Sequence, residues 1–309
     1  MTTHTGFVTV AGRPNAGKST LLNRLVGERL AITSPKPQST RERVVGIVSD
    51  EDTQIVLLDT PGLLEPAYEL QRSMRAASLR ALDDADIIIH LVDALDGHVE
   101  TLATAAGLSS DRAPRAPVVL ALNKSDALSP GRRDAVTREF APQAPNAFVI
   151  SARTGEGIAD LLTRVRALLP EGPFLYDPED LSSQHLRFFA AEMVRETALE
   201  QLEDEVPYSV ACEIEEYRET RSPVYIRAVL HVERDSQKRI LIGAGGARVK
   251  AIGTAARAKI EALVGGPVYL DLHVKVLANW RRDAAALRRL GYAVPTPAVG
   301  KDTPGEPHQ

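Results

Sequence analysis

The chain has one cysteine, Cys212, in 309 residues. That excludes a disulfide framework within the chain and any cysteine-based zinc site, and a reducing compartment, the cytoplasm, is expected. The seven histidines are scattered without ligand spacing, which argues against zinc on a second ground. Long hydrophobic runs are missing as well. The longest, Ile87 to Val92, is interrupted by His90 and falls far short of the ~20 residues needed to cross a bilayer. The opening residues show neither a basic patch nor a cleavable apolar core, so no secretory signal is expected. Any membrane contact should be peripheral.

What is present is ordinary globular composition, 44% apolar and 25% charged, in a length that suits two domains. The net charge of −4 hides an asymmetry. Residues 177–219 carry 13 acidic side chains against 3 arginines, whereas residues 238–292 carry 11 basic against 3 acidic. A basic block inside an acidic chain is either a polyanion-binding face or a solvated helix surface.

Over residues 1–169, apolar strand-like runs alternate with helical patterns, which predicts a doubly wound, mostly parallel α/β sheet. Phe7–Val10 leads into a Gly-rich turn and a helix from about Lys18. Val44–Val48 and Ile55–Leu58 read as neighbouring strands joined by a polar turn. Ile87–Val92, Val118–Leu122 and Ala147–Ile150 are further buried strands. Residues 170–181, which begin Pro-Glu-Gly-Pro-Phe just after Leu169, read as a linker. Residues 182–293 read as a smaller α+β domain: a helix from about Ser183 to Glu203, strands Tyr208–Ile214 and Val224–Val232, two helices around a Gly-rich turn, and a strand Pro267–Leu277. That first helix places Leu186, Phe189, Met193, Val194 and Leu202 on one side. Residues 294–309 have nothing to bury and are expected to be disordered.

Three short segments fall just after strands, where open α/β sheets bind ligands. The first, Gly12-Arg13-Pro14-Asn15-Ala16-Gly17-Lys18-Ser19-Thr20, curls backbone amides toward phosphate oxygens at a helix N-terminus. Lys18 is a point charge for the β- and γ-phosphates, and Ser19 offers a hydroxyl to Mg²⁺. In the second, Asp59-Thr60-Pro61-Gly62, a carboxylate at a strand end can hold Mg²⁺ through water, and Gly62 gives an unhindered amide to the γ-phosphate. In the third, Asn123-Lys124-Ser125-Asp126, the Asp126 carboxylate can accept from guanine N1–H and the 2-amino group together. Adenine would leave that charge unpaired, a discrimination of ~10⁴-fold or more. Asn123 would brace the loop, the Lys124 stem would cover the base, and the Ser151 and Ala152 amides would complete the pocket. The ligand expected is GTP or GDP.

These segments, with Ala31–Ser34, Gln38–Arg41 and Val45–Ile47, resemble TRAFAC-class GTPases of the TrmE-Era-EngA group, and the whole chain resembles the Era branch of that group. The resemblance implies that Thr40 closes over Mg²⁺ and the γ-phosphate; Ser39 and Thr33 are alternatives. It also implies a K⁺ ion at Asn15, supplying the positive charge that an arginine finger provides elsewhere. Leu63 stands where many GTPases carry a water-orienting Gln, so slow intrinsic hydrolysis is expected. Lys18, Thr40, Gly62 and Asn15 are the residues expected to carry hydrolysis.

Gly243-Ala244-Gly245-Gly246, followed by Arg248 and Lys250, resembles the GXXG clamp of a type II KH domain, which grips about four nucleotides. The variable pair carries no basic residue. Backbone affinity would then rest on Arg248, Lys250, Arg257 and Lys259, giving a salt slope near −0.7 × 4, about −3. Trp280 either stacks on a base or caps a core, and Arg288-Arg289 reads as solvated. The resemblance implies a partner, the 3′ end of 16S rRNA, during 30S subunit biogenesis in bacteria, with a monomeric protein acting as a GTP-driven switch. The alternative is a signalling GTPase peripheral to the membrane, with the KH-like domain a passive scaffold.

Overall fold

The computed structural model describes residues 2–96, 100–108, 114–140, 146–220 and 222–295; side chains are not described at 137, 139 and 140. Most of the tail assigned as disordered therefore lies outside the described residues. Ala293 and Val294, at its threshold, are ordered against the body of the molecule: the Ala293 carbonyl accepts from Ser73 Oγ at 2.9 Å.

The first sheet is built from β1 (His4–Ala11), β2 (Val44–Ser49), β3 (Thr53–Asp59), β4 (Ile87–Asp93), β5 (Val118–Asn123) and β6 (Phe148–Val149), in the order β2-β3-β1-β4-β5-β6. All pairings are parallel except β2–β3, which are neighbours as read from the polar turn between them and pair antiparallel. Near-continuous apolar runs such as Thr53–Asp59, buried throughout, are what a parallel sheet covered on both faces demands. Interleaved helices are α1 (Lys18–Val26), α2 (Glu69–Asp83), α3 (Leu102–Ala106), α4 (Pro130–Phe140) and α5 (Ile158–Arg166).

The second unit comprises α6 (Leu186–Gln201), β7 (Ala211–Arg218), β8 (Val224–Val232), α7 (Asp235–Ile242), α8 (Ala247–Val264), β9 (Val268–Val276) and α9 (Ala284–Arg289). Its sheet order is β7-β8-β9, antiparallel then parallel. Two boundaries differ from expectation. Strand β7 starts at Ala211 rather than Tyr208, because Val206–Ser209 forms a 3₁₀ turn around Pro207, which has no ladder donor. Helix α6 starts at Leu186, since His185 is extended.

The side of α6 predicted as one apolar stripe serves two cores. Val194 and Leu202 pack in the second unit, whereas Phe189 joins the core of the first, and Leu186 is exposed. Residues 170–181, read as a linker, lie fastened along the first sheet. Thr5 N donates to Pro170 O (3.1 Å), the Gln54 amide holds Leu175 and Tyr176, and Ile47 N donates to Leu181 O (2.9 Å). A third shared core sets Leu70 and Met74 of α2 against Trp280, Leu287 and Tyr292. Among the described residues no helix is long and apolar enough to cross a membrane.

Candidate nucleotide site and nucleic-acid interface

Strand β1 ends at Ala11 and the chain turns sharply before α1. Two positions in this turn admit only glycine. Gly12 has φ 154° and a Cβ there would sit 2.2 Å from Leu91 O; Gly17 has φ 98° and a Cβ would sit 2.2 Å from Asn123 Nδ2. Lys18 is buried, and its Nζ donates to Gly12 O (3.2 Å) and Arg13 O (2.9 Å). Burial pushes its pKa down to about 8, against the raising effect of Asp59. The ammonium is thus held over the turn whose amides would receive phosphate.

Ser19, Thr40 and Asp59 meet beside it. Ser19 Oγ donates to Asp59 Oδ2 at 2.7 Å, Thr40 Oγ1 donates to the same oxygen at 3.1 Å, and the two hydroxyls are 2.9 Å apart. Asp59 is fully buried, its pKa raised by that burial, and its Oδ1 has no hydrogen-bond partner. Two hydroxyls and a carboxylate with an orphaned buried oxygen form the hard-oxygen donor set that suits Mg²⁺. Ser39 and Thr33, the alternatives to Thr40, line the same cavity but do not reach this cluster; the cavity holds about 460 Å³ between the turn, residues 32–40, Gly62 and Lys124.

Gly62 sits hard against the turn, where a Cβ would lie 2.6 Å from Pro14 N. Leu63 N donates to Gly12 O at 3.0 Å, and its side chain is buried in the core. The side chain after Gly62 therefore points away from any attacking water. Asn15, with φ 64°, donates its amide to Pro35 O at 3.0 Å.

At the ends of β5 and β6, Asn123 ties three segments together. Its Nδ2 donates to Ala16 O (2.8 Å) and its Oδ1 accepts from Ala152 N (2.9 Å). The Ala152 amide is thus engaged by Asn123 rather than open to a base, unlike the expectation for it. Ser151 Oγ donates to Asp126 Oδ1 at 2.5 Å, and Arg153 pairs with the other Asp126 oxygen. The Ser151 hydrogen bond, then the Arg153 contact, hold the Asp126 carboxyl below the usual range despite some desolvation. Lys124 Nζ lies 2.5 Å from Asp93 Oδ2. Arg153 and Asp93 were missed in the sequence, although Arg153 directly follows Ser151-Ala152; Asp93 ends β4, which carries no such segment, and meets Asn123 only through the strand register. Arg13 and Thr20 flank the site, Arg13 paired with Glu100. Thr60 Oγ1 donates to Val10 O at 3.1 Å, and the Pro61 carbonyl accepts from Ser78 Oγ at 2.8 Å.

The loop bearing Thr40 is bolted to the second unit. The buried Arg195 donates Nη2 to Ser39 O, and Lys36 Nζ donates to Leu199 O and Leu202 O at the end of α6. Arg41 donates to Val210 O (2.6 Å) and Tyr208 O (3.0 Å), with its guanidinium 5.6 Å from the Trp280 ring centre. Trp280 is fully buried and donates Nε1 to Ser209 O at 2.9 Å, so it caps a core and is closed to bases.

In the second unit, Gly243 (φ 72°), Gly245 (φ 57°) and Gly246 (φ 80°) turn the chain between α7 and α8. Ala244 and Gly245 are exposed, as are Arg248 and Lys250, while Ile252 anchors α8 in the core. Lys259 departs from expectation. It faces α6 and pairs with Glu196 (2.9 Å) and Glu200 (2.8 Å). That removes it from the set available to phosphates.

Two family models match the chain: 50S ribosome-binding GTPase over residues 7–124 and KH domain over residues 205–281. GTPase Era from Thermotoga petrophila is 41% identical over 296 residues, covering 94% of this chain and 98% of its own length. The chain belongs to the GTPase Era family. The Synechocystis GTPase Era is likewise 41% identical, over 94% of this chain and 92% of its own. Two crystal structures of Era match with a TM-score of 0.88 and 35% identity, covering 94% of this chain and all of theirs. One is a point variant of the Aquifex aeolicus Era bound to GDP·AlF₄⁻; the other is Era in complex with MgGDPNP and nucleotides 1506–1542 of 16S ribosomal RNA. The matches span both halves of an Era-family molecule, so the fold is a P-loop GTPase domain followed by a KH domain.

Proposed function

We propose that this GTPase binds and hydrolyses GTP as a molecular switch, binds the 3′ region of 16S rRNA through its KH domain, and assists 30S subunit biogenesis in the bacterial cytoplasm. The observation that carries the reading is the likeness, over 94% of the chain, to an Era captured with MgGDPNP and a 16S rRNA segment. The geometry supports it at both ends: a phosphate turn with a hard-oxygen cluster in one domain, and an exposed glycine turn flanked by free cations in the other.

In this reading Gly12–Ser19 wrap the phosphates, Lys18 holds the β- and γ-phosphoryl oxygens, and Asp126 reads guanine after giving up Arg153. Ser19, Thr40 and Asp59 are the residues that would hold Mg²⁺, which neutralises charge on the β- and γ-phosphates when bound. Lys18 is already desolvated and poised over the turn, so little reorganisation accompanies phosphate arrival. With Leu63 buried, no side chain at that position orients water, and the Asn15 oxygen is the atom that would take K⁺ and bring positive charge near the leaving group. Thr40 and Gly62 close on the γ-phosphate, and their loops pass that state to the KH domain.

The reading of a membrane-peripheral signalling GTPase gains no support from the matched relatives and is not adopted. The test is crosslinking of RNA to the protein in cells, with sequencing of the bound fragments. Recovery of small-subunit rRNA 3′ termini is expected; fragments without them would refute the partner.

A further inference from the structure

Two carboxylates, Glu196 and the more exposed Glu200, bridge Arg29 of the GTPase domain and Lys259 of the RNA-binding helix, and of the two only Glu196 also reaches the nucleotide-cavity loop, at Thr33 N. Helix α8 begins at the glycine turn, with Gly246 as its N-cap, and runs 18 residues to Val264, about 27 Å of continuous rod. Its far end reaches the GTPase domain, where Leu263 packs in the core cluster that holds Leu30 and Ala31. One helix thus spans from the RNA clamp to the start of the loop that carries Thr40.

Glu196 stands where the two meet. Its side chain is 4% exposed, and Lys259 Nζ of α8 approaches Oε2 at 2.9 Å. Oε1 accepts from Arg29 Nη2 at 2.7 Å and, more loosely, from Thr33 N at 3.4 Å. Thr33 and its neighbour Ile32 line the nucleotide cavity. A carboxylate so buried needs compensating cations, and here one comes from each domain. If the loop at residues 29–33 withdraws, the balance around Glu196 changes, and Lys259 must respond. A cavity of about 230 Å³ lies at this joint, lined by Arg29 to Ile32, Glu196 and Lys259 among others, and gives the joint room to rearrange.

We propose that Glu196 is the residue through which nucleotide state and RNA affinity are coupled, by sharing its carboxylate between Arg29–Thr33 and Lys259. It is a positioning residue, touching neither ligand. The inference rests on the functional reading above and names the side chain that would carry its switch. By linkage, whatever factor GTP adds to RNA affinity, RNA adds to GTP affinity.

The experiment measures the affinity of a synthetic RNA spanning nucleotides 1506–1542 of 16S rRNA for the full chain, loaded with GDP or with Mg²⁺ and GDPNP. The wild-type ratio of affinities is expected to be at least about fivefold. Glu196→Gln and Lys259→Met should each bring the ratio below about twofold, and the double variant should lose no more than either single one. Lys259 does not line the nucleotide cavity, so Lys259→Met should keep the wild-type affinity for GDP without RNA and serves even where Glu196→Gln fails to fold. A full wild-type ratio in Lys259→Met would overturn the Glu196 assignment while leaving the function standing. A wild type that binds this RNA equally in both nucleotide states, or not at all, would overturn the functional reading and this inference together.

Discussion

Ser151 Oγ donates to Asp126 Oδ1 at 2.5 Å, so the carboxylate proposed to read the base is aimed by a hydroxyl from the neighbouring loop. This fixes one oxygen and leaves the other on the exposed Arg153, an ion pair that an incoming guanine can displace at small cost. Asp126→Asn turns an acceptor into a donor toward N1–H and should cut GTP affinity by ~100-fold or more while favouring xanthosine triphosphate. Competition binding with both nucleotides reads the swap. Retained GTP preference would remove Asp126 from the role.

The Asn15 amide nitrogen is held by Pro35 O, within the loop that closes the nucleotide cavity. If its oxygen holds K⁺ beside the phosphates, steady-state GTP hydrolysis should run at least about tenfold faster in KCl than in NaCl. Asn15→Ala should erase the difference by lowering the KCl rate. Equal rates in the two salts for the wild type would dispose of the ion.

Gly246 has φ 80° and opens to solvent, so an aspartate there is both strained and repelled by phosphate. Gly246→Asp should abolish binding of the rRNA 3′ segment and leave GDP affinity unchanged. With Lys259 occupied by Glu196 and Glu200, the cations left to meet phosphates are Arg248, Lys250 and Arg257, the last exposed and only loosely paired with Glu261 at 3.8 Å. A salt titration should therefore give a slope near −0.7 × 3, about −2, rather than −3.

His90 is 4% exposed on β4, and burial lowers its pKa from 6.5 to about 4. Between those values the unfolded chain binds a proton that the folded one refuses, so this group makes stability fall as pH drops from 6.5 toward 4, by up to about 3 kcal/mol. Glu42 works against it: burial, then the Glu192 charge, raise its pKa to about 7, so its contribution declines as pH rises from 4.5 to 7. The comparison is therefore between wild type and His90→Gln, by denaturant unfolding at pH 7 and pH 5. The variant should lose less stability than the wild type on acidification; parallel losses would count against the assignment.

The nucleotide site was legible because each of its segments follows a buried apolar strand, and a parallel sheet brings strand ends together whatever lies between. Ser19 and Asp59 are far apart in sequence yet meet for that reason; Thr40 joins them from the loop before β2, a placement that only the family resemblance suggested. The bolts between the domains were not legible. Lys36, Arg41 and Arg195 donate to backbone carbonyls of distant segments, and a carbonyl acceptor leaves no trace in residue type. Lys259 was misread for a related reason: a count of charges along the chain cannot tell which face of α8 turns toward Glu196. Trp280 carried two readings until its burial decided between them.

The core formed by Leu70 and Met74 with Trp280, Leu287 and Tyr292 has a practical corollary. Cutting the polypeptide near residue 181 would strip Leu70 and Met74 of their cover and withdraw Phe189 from the pocket it fills in the opposite half. Each fragment would then display a greasy scar and tend to clump. The two halves match separate family models, yet in this molecule they share buried cores.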